Sequence, residues 1–302
     1  MHMNTSTTFD RYMERIEAGE RLSASEIQEL ATTPDILPLG MLADTARRRW
    51  HGARTTFVRV ATYPLDGVIQ GVIQVVPAQA KEIRITGSPE HLSQALDALA
   101  QAKKTAGGRT ISAFSWIDAE RFAGDGQKPV REVLTSLRAA GLDGFAELPL
   151  DRMQDIEAAI DHLASAGFDR MRLTVDKLAA SERTALFVRA QQVQQRLGCV
   201  QAINPLPMTL ATFRPTTGYE DVKTVAIARL AAPDVPTIQV DWLRYGPKLA
   251  QVALTFGADD IDGISPSDDA PEGRRRAPLE EVRGNIEAAG YSPVERDGRF
   301  TV

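Results

Sequence analysis

Cysteine is almost absent from this sequence: Cys199 stands alone among 302 residues. A single thiol excludes an intrachain disulfide framework, a cysteine-based zinc finger and an iron–sulfur cluster held by several cysteines of this chain. Histidine is scarce too. His2, His51, His91 and His162 are scattered, and none falls in the HExxH spacing of a zinc protease helix. No apolar run reaches the ~18 residues that would suggest a membrane span. Met1 to Phe9 is polar, with no hydrophobic signal core, so a cytoplasmic protein is expected. An excess of positive charge is also missing. Lys plus Arg is 35 against 40 Asp plus Glu, a net charge of −5, which argues against a nucleic-acid binder held by phosphate contacts. The GxSxG elbow and the Walker A loop do not occur.

What is present is an ordinary globular composition, 43% hydrophobic and 25% charged, enough to bury a sizeable core. Residues 9–50 read as helical. Tyr12, Met13 and Ile16 mark a first helix. Ser23 followed by Glu26 forms a capping box ahead of Ile27 and Leu30. Pro38 starts a third helix that ends near Gly52, with Arg47, Arg48 and Arg49 in its last turns. Cations there suit the negative end of the helix dipole, and a solvated arginine run is expected.

From residue 55 the pattern changes to alternation. Strands are predicted at 55–62, 82–86, 110–114, 142–147, 170–175, 199–204, 237–241 and 260–264. Helical segments at 89–104, 129–140, 151–166, 180–197, 218–231 and 246–256 separate most of them, and 278–289 follows the eighth. Connections of that length imply parallel pairing. Eight units predict an α/β fold, a (β/α)8 TIM-type barrel over residues 53–302, behind a helical extension over 1–52. A doubly wound open sheet is the alternative. Residues 63–80, rich in Gly, Val, Ile and Pro, read as a short hairpin or a remodelled crossover. Residues 265–278, with three consecutive arginines, read as a surface loop.

In a barrel, binding groups gather at the C-terminal ends of the strands. The candidate ligand-binding residues by that rule are Tyr63, Ser88, Ser115, Trp116, Glu147, Lys177, Asn204, Arg214 and Asp241. Trp116 and Trp242 can stack on a flat ligand or pack as core. Thr86-Gly87-Ser88-Pro89, between a strand and a helix, can offer N–H groups to an anion. Glu147 and Lys177 follow neighbouring strands and can form an acid/base pair or a structural ion pair. Asp259, Asp260 and Asp262 have the chemistry of cation ligands, but the first two open strand eight, at the wrong face for a barrel site. Cys199 opens strand six, also at the wrong end for a nucleophile, and reads as a small buried hydrophobe.

Several stretches carry a resemblance. They are Leu42-Ala43-Asp44 through His51-Gly52, Asp221 to Leu230, Gly246-Pro247-Lys248-Leu249-Ala250-Gln251, Gly257-Ala258-Asp259-Asp260-Ile261-Asp262-Gly263, and Ala289 to Asp297. Together they resemble the aminofutalosine synthase and dehypoxanthine futalosine cyclase branch of the radical SAM superfamily, enzymes of menaquinone biosynthesis. The resemblance implies a radical SAM barrel. It also brings out a departure. The family's CxxxCxxC motif follows the first strand, and that place is taken here by Tyr63–Val76, which has no cysteine. Three expectations follow. The chain is a radical SAM-like pseudoenzyme linked to the futalosine route, binding a small ligand or a partner protein. No cofactor is expected, neither a 4Fe–4S cluster nor S-adenosylmethionine. Partners, if any, are a radical SAM paralogue or a second copy, with Val68, Ile69, Val72 and Ile73 as a contact where the cluster loop was, unless they pack inward. The alternatives are a cluster-independent enzyme acting on a futalosine-type nucleoside or aryl carboxylate, and a non-catalytic subunit of a true radical SAM paralogue.

Overall fold

The computed structural model describes residues 5–71, 75–177, 182–209, 217–267 and 279–302. Three helices come first: α1 (Thr5–Ala18), α2 (Ala24–Thr32) and α3 (Ile36–His51). The alternating part follows as β1 (Arg54–Pro64), α4 (Leu65–Ile69), β2 (Glu82–Thr86), α5 (Leu92–Ala106), β3 (Thr110–Ser115), α6 (Trp116–Gly126), α7 (Val130–Ala140) and β4 (Gly144–Glu147). A 3-10 turn at Leu150–Arg152 leads to α8 (Ile156–Ser165), β5 (Met171–Val175), α9 (Arg183–Leu197), β6 (Val200–Pro207) and α10 (Gly218–Ala231). The last units are β7 (Thr237–Asp241), α11 (Trp242–Leu254), β8 (Asp260–Ile264), α12 (Leu279–Ala288) and β9 (Ser292–Glu295).

The eight main strands are all parallel, in the order β4-β3-β2-β1-β8-β7-β6-β5. The two ends of that row meet where Thr174 N–H donates to Leu148 O at 2.9 Å, beside a single bridge between Pro149 and Thr174. The sheet is therefore a nearly closed barrel, as the strand count predicted. β9 pairs in parallel with the start of β1, Arg54 to Phe57. It is a ninth strand that the alternation did not reveal.

Strand periodicity explains how the barrel is filled. In β2, Ile83 and Ile85 are fully buried against the helical layer, while Glu82 and Arg84 reach across the interior to other strands. The same alternation puts Gln239 and Asp241 of β7, and Asp260 and Asp262 of β8, on the inner side. Barrel interiors are commonly filled by branched apolar side chains. Here much of the filling is charged.

Local signals account for several helix ends. Ser23 and Glu26 form the expected capping box of α2. The segment expected to be helical from Gly246 starts a turn earlier, at Trp242. Gly246, with φ at +81°, breaks the helix ahead of Pro247, a conformation that favours glycine. Helix α6 was not expected; its capping box is Ser115 with Asp118.

One expectation about α3 is corrected. Arg47 is not solvated but fully buried. Its guanidinium donates to Ala258 O at 2.8 Å, Gly52 O at 3.0 Å, Arg54 O at 2.8 Å and Thr55 Oγ1 at 2.6 Å, and lies 3.8 Å from the Tyr291 ring centre. It ties α3 to the start of β1 and to the turn before β8. Arg48 pairs with Asp44 at 2.7 Å, and Arg49 donates to Ile16 O at 2.9 Å. Among the described residues, the segment between β1 and β2 contains a short helix, α4, in keeping with a remodelled crossover rather than a hairpin. Leu65 and Val68 are buried, and Ile69 packs against the same core. That favours inward packing over a partner contact for Val68 and Ile69, while Val72 and Ile73 lie outside the described residues.

Candidate functional site

The inner face of the barrel is built in layers of charge. Near the N-terminal ends of the strands, Arg296 reaches in from beyond β9 and grips Asp260 with two bonds of 2.5 and 2.8 Å. Gln239 and Thr56 donate to the same carboxylate at 2.7 and 2.6 Å. Beside it, Asp259 pairs with the buried guanidinium of Arg229 and sits 3.1 Å from His51 Nε2. The next layer up is a second cluster. Arg84 makes a bidentate pair with Asp262 at 2.8 and 2.9 Å and also bonds Glu82 at 2.7 Å. Arg172 bonds the same Asp262 at 2.9 Å, and its other end donates to Ala146 O at 2.9 Å, bracing the β4–β5 seam. Ser112 Oγ donates to Glu82 at 2.5 Å. Burial works against the charge of Asp262, yet Arg84 and Arg172 hold its carboxyl well below the usual carboxylate range. All three aspartates of the GADDIDG segment are thus engaged by arginine: Asp259 by Arg229, Asp260 by Arg296, Asp262 by Arg84 and Arg172.

Above this layer, at the C-terminal ends of the strands, lies a cavity of about 720 Å³. Arg84, Arg172 and Asp262 contribute to its lining, together with Thr62, Thr86, Ser88, Ser115, Asp118, Glu147, Thr174, Asn204, Asp241 and Arg244. Five of the nine predicted residues are therefore brought together: Ser88, Ser115, Glu147, Asn204 and Asp241. Tyr63 does not line the cavity; its hydroxyl donates to Val75 O at 3.4 Å. Trp116 is buried as the first residue of α6 and packs as core, so of its two readings the structural one holds. Trp242 is likewise fully buried. Lys177 is exposed, and its backbone N–H donates to Asp151 at 2.7 Å; no ion pair joins its side chain to Glu147. Arg214 lies outside the described residues.

Three of the five have local duties, those of Ser115, Ser88 and Asp241. Ser115 Oγ accepts from Ile117 N–H at 3.1 Å, and Ser115 N–H donates to Asp118 at 2.9 Å, capping α6. Ser88 Oγ donates to the Asp118 carboxylate, which also takes Arg121 at 3.1 Å. A carboxylate against Ser88 makes the Thr86–Pro89 turn a poor anion cradle, contrary to the expectation for that turn. Asp241 caps α11 by accepting from the Arg244 N–H at 2.9 Å, yet its carboxyl, like that of Glu147, is shifted. Burial pushes the Glu147 carboxyl up, against the pull of Arg244 and Arg172. Burial, and then the charge of Asp262, push the Asp241 carboxyl up. Asn204 is 3% exposed and Thr174 1%, yet Asn204 Oδ1 and Thr174 Oγ1 find no hydrogen-bond partner, nor does Arg244 Nη1. Buried polar atoms are normally paired. Three such atoms line this one cavity, which makes it the candidate site.

Sequence reasoning missed Arg84, Arg172 and Arg244. A signal for the first two was present: an arginine between apolar neighbours in Glu82-Ile83-Arg84-Ile85 and Met171-Arg172-Leu173 points to the opposite face from those neighbours, which in a barrel is the interior. Nothing local marked Arg244.

Comparison with known proteins places this geometry. Residues 208–302 match the family described as the CofH/MqnC C-terminal region. The aminodeoxyfutalosine synthase of Thermus thermophilus is 26% identical over 355 residues, taking in 95% of this chain and 94% of that one. A 5-amino-6-(D-ribitylamino)uracil–L-tyrosine 4-hydroxyphenyl transferase from Archaeoglobus fulgidus is 28% identical over 222 residues, 64% of each chain. Among solved structures, the FeFe-hydrogenase maturase HydG superposes with a TM-score of 0.69 at 15% identity, covering 96% of this chain and 76% of that one. Methylornithine synthase (PylB) does so with 0.65 at 13%, covering 94% and 97%. These two likenesses show the fold. Among the described residues no helix is long and apolar enough to cross a membrane.

The matches correct one expectation. The expectation of no cofactor does not stand: the aminodeoxyfutalosine synthase and cyclic dehypoxanthine futalosine synthase that this chain matches are radical SAM enzymes, which use an iron–sulfur cluster and S-adenosylmethionine. Whether the residues present fit the cluster is decided by donor chemistry. A cluster of that kind is held by thiolates. Tyr63–Val76 has none, and Cys199 is buried ahead of β6, at the other end of the barrel, where burial pushes its thiol up. These residues do not fit a cluster held by three cysteines of this chain, and no chemical step is derived through one.

Proposed function

We propose that this protein, a radical SAM-type barrel similar to the aminofutalosine synthase branch, binds a polar small molecule in the mouth cavity and holds it without radical chemistry of its own. The observation that carries the reading is the cavity of about 720 Å³ lined by three buried polar atoms without partners, on Thr174, Asn204 and Arg244. A ligand of a few hundred Å³ fits such a volume. Its donors would meet Asn204 Oδ1, Glu147 and Asp241, and its acceptors Arg244 and the Thr174 hydroxyl. The paired layer of Arg84, Arg172 and Asp262 forms a fixed floor. Similarity to aminodeoxyfutalosine synthase and cyclic dehypoxanthine futalosine synthase favours a futalosine-type nucleoside as occupant, and nucleosides carry both donors and acceptors. The chain's own residues bind and orient; no bond-making step is assigned to them.

The test is a thermal-shift series with S-adenosylmethionine, adenosine, aminodeoxyfutalosine and the aryl carboxylates related to it. A ligand at a hundred times its dissociation constant adds about 2.7 kcal/mol to stability. For a domain of roughly this size that is several degrees in Tm. A shift that disappears in Asn204→Leu supports the mouth as the site. A shift that survives Asn204→Leu and Glu147→Leu moves the ligand elsewhere, and no shift with any compound removes the reading.

A further inference from the structure

We infer that Arg244 is the residue that selects an anionic group on a ligand entering the mouth, in competition with Glu147 and Asp241, so that anions are held more tightly as pH falls. This rests on the mouth being the ligand site.

The geometry starts from the end of β7. Asp241 caps α11, accepting from the Arg244 backbone N–H at 2.9 Å, so the carboxylate and the arginine are fixed one helical turn apart. The other guanidiniums of the barrel interior are paired, Arg84 and Arg172 with Asp262 and Arg296 with Asp260, and Arg229 of α10 is paired with Asp259. Among the described residues Arg244 alone of these makes no ion pair within 4.0 Å, and its Nη1 is buried with no acceptor. An unpaired guanidinium lining a cavity is a ready fork for a carboxylate, sulfonate or phosphate.

Its competitors are close by. Glu147 faces Arg244 of α11, Arg172 of β5, and the acids Asp176 and Asp118. Asp241 faces Asp262 of β8, Arg244, and Arg84 of β2. Asp262 is neutralised by two arginines, Asp118 by Arg121 with a bond from Ser88, and Asp176 by Arg152 at 3.8 Å. That leaves two carboxylates against one cation at the mouth. An incoming anion is drawn by Arg244 and repelled by both acids. Arginine keeps its charge throughout the ordinary range. Burial sets both carboxyls above their ordinary values, so they begin to take up protons on mild acidification and the repulsion fades.

The experiment is calorimetric titration of the full chain with benzenesulfonate and with benzenesulfonamide, probes of one shape that differ in charge, at pH ~7.5 and ~5.5, where arginine does not titrate. The expected result is a preference for the sulfonate of about tenfold at the lower pH, shrinking at the higher one. Arg244→Gln abolishes the preference, Arg244→Lys keeps most of it, and Glu147→Gln raises sulfonate affinity at the higher pH and flattens the pH dependence. If Arg244→Gln or the lower pH leaves the preference unchanged, or if the sulfonamide binds and the sulfonate does not, the assignment of Arg244 is overturned while the mouth remains a ligand site. If neither probe binds the unaltered protein and the nucleoside series is also silent, the mouth reading itself falls.

Discussion

The two ends of the barrel treat buried charge in opposite ways. In the lower layers the carboxylates of Asp259, Asp260, Asp262 and Glu82 each meet a guanidinium or several donors. At the mouth, Glu147 of β4, Asp241 of β7 and Arg244 of α11 share one cavity without a single ion pair among them. Burial differs along with pairing: the lower carboxylates are buried, whereas the three mouth residues are half-buried. The lower layers look finished, and removing one member should be costly. The mouth looks unfinished, and the same kind of substitution there should be cheap.

The largest expected effect tests the finished end. Arg296→Ala strips the buried Asp260 of its bidentate partner, and breaking such a pair by removing one member costs about 3–5 kcal/mol. Denaturant unfolding should show it as a lower midpoint with an unchanged slope. A loss below about 1 kcal/mol would mean the lower layer is not the clamp it looks like. Next comes acid. The Asp262 carboxyl is held below its ordinary value, so its contribution is complete above the unfolded value of about 4 and is lost as pH falls through the folded one. Unfolding free energy followed from neutral pH downward should drop steeply below about pH 4 in the unaltered protein, and Asp262→Asn should flatten that drop.

At the mouth the expectations are small and of the opposite sign. Glu147 and Asp241 are raised, so each binds more protons folded than unfolded, and each makes the protein less stable as pH rises through that window. Glu147→Gln should therefore raise Tm at neutral pH, by the equivalent of no more than about 1 kcal/mol, and the gain should vanish in acid. The smallest effect is expected from Thr174→Val, which removes a hydroxyl with no partner at nearly constant shape. Its stability should stay within about 0.5 kcal/mol while any mouth ligand binds less well. A large loss would show that the hydroxyl is bonded in solution and that the contrast between the two ends is weaker than it looks.

How far this contrast was legible in the sequence depends on the residue. The barrel itself was readable, because eight alternating segments with long connections leave few other topologies; β2, β7 and β8 have the expected bounds to the residue. That Ser88, Ser115, Glu147, Asn204 and Asp241 gather around one cavity at the strand ends was readable for the same reason. The chemistry was not. Trp116 and Lys177 sit at strand ends like the others, but side-chain direction after a strand depends on the loop or helix that follows. At Trp116 the Ser115–Asp118 capping box starts α6 and turns the indole into the core. Arg47 was misjudged in the same manner. Its helix-end position suggested dipole compensation, and only the neighbouring β1 and β8 turn reveal that its donors are needed by four oxygens of the backbone and Thr55. Pairing across a barrel joins residues far apart in sequence: Arg84 meets Asp262 at a separation of 178 residues. No local pattern carries that information.

The fork at the beginning of β1 has a consequence for how the chain is made. Strand β1 needs β8 on one side and takes β9 along its first residues, and Arg296 must enter beneath both to meet Asp260. On a ribosome, β1 emerges more than two hundred residues ahead of those partners. For all that time it has one neighbour in β2 and an exposed edge, the situation in which strands seek wrong partners. Completing the barrel around β1 thus waits for β8, β9 and Arg296. A nascent chain stalled before residue 292 should remain protease-sensitive in β1 while the hairpin-free β2 to β4 stretch is already protected.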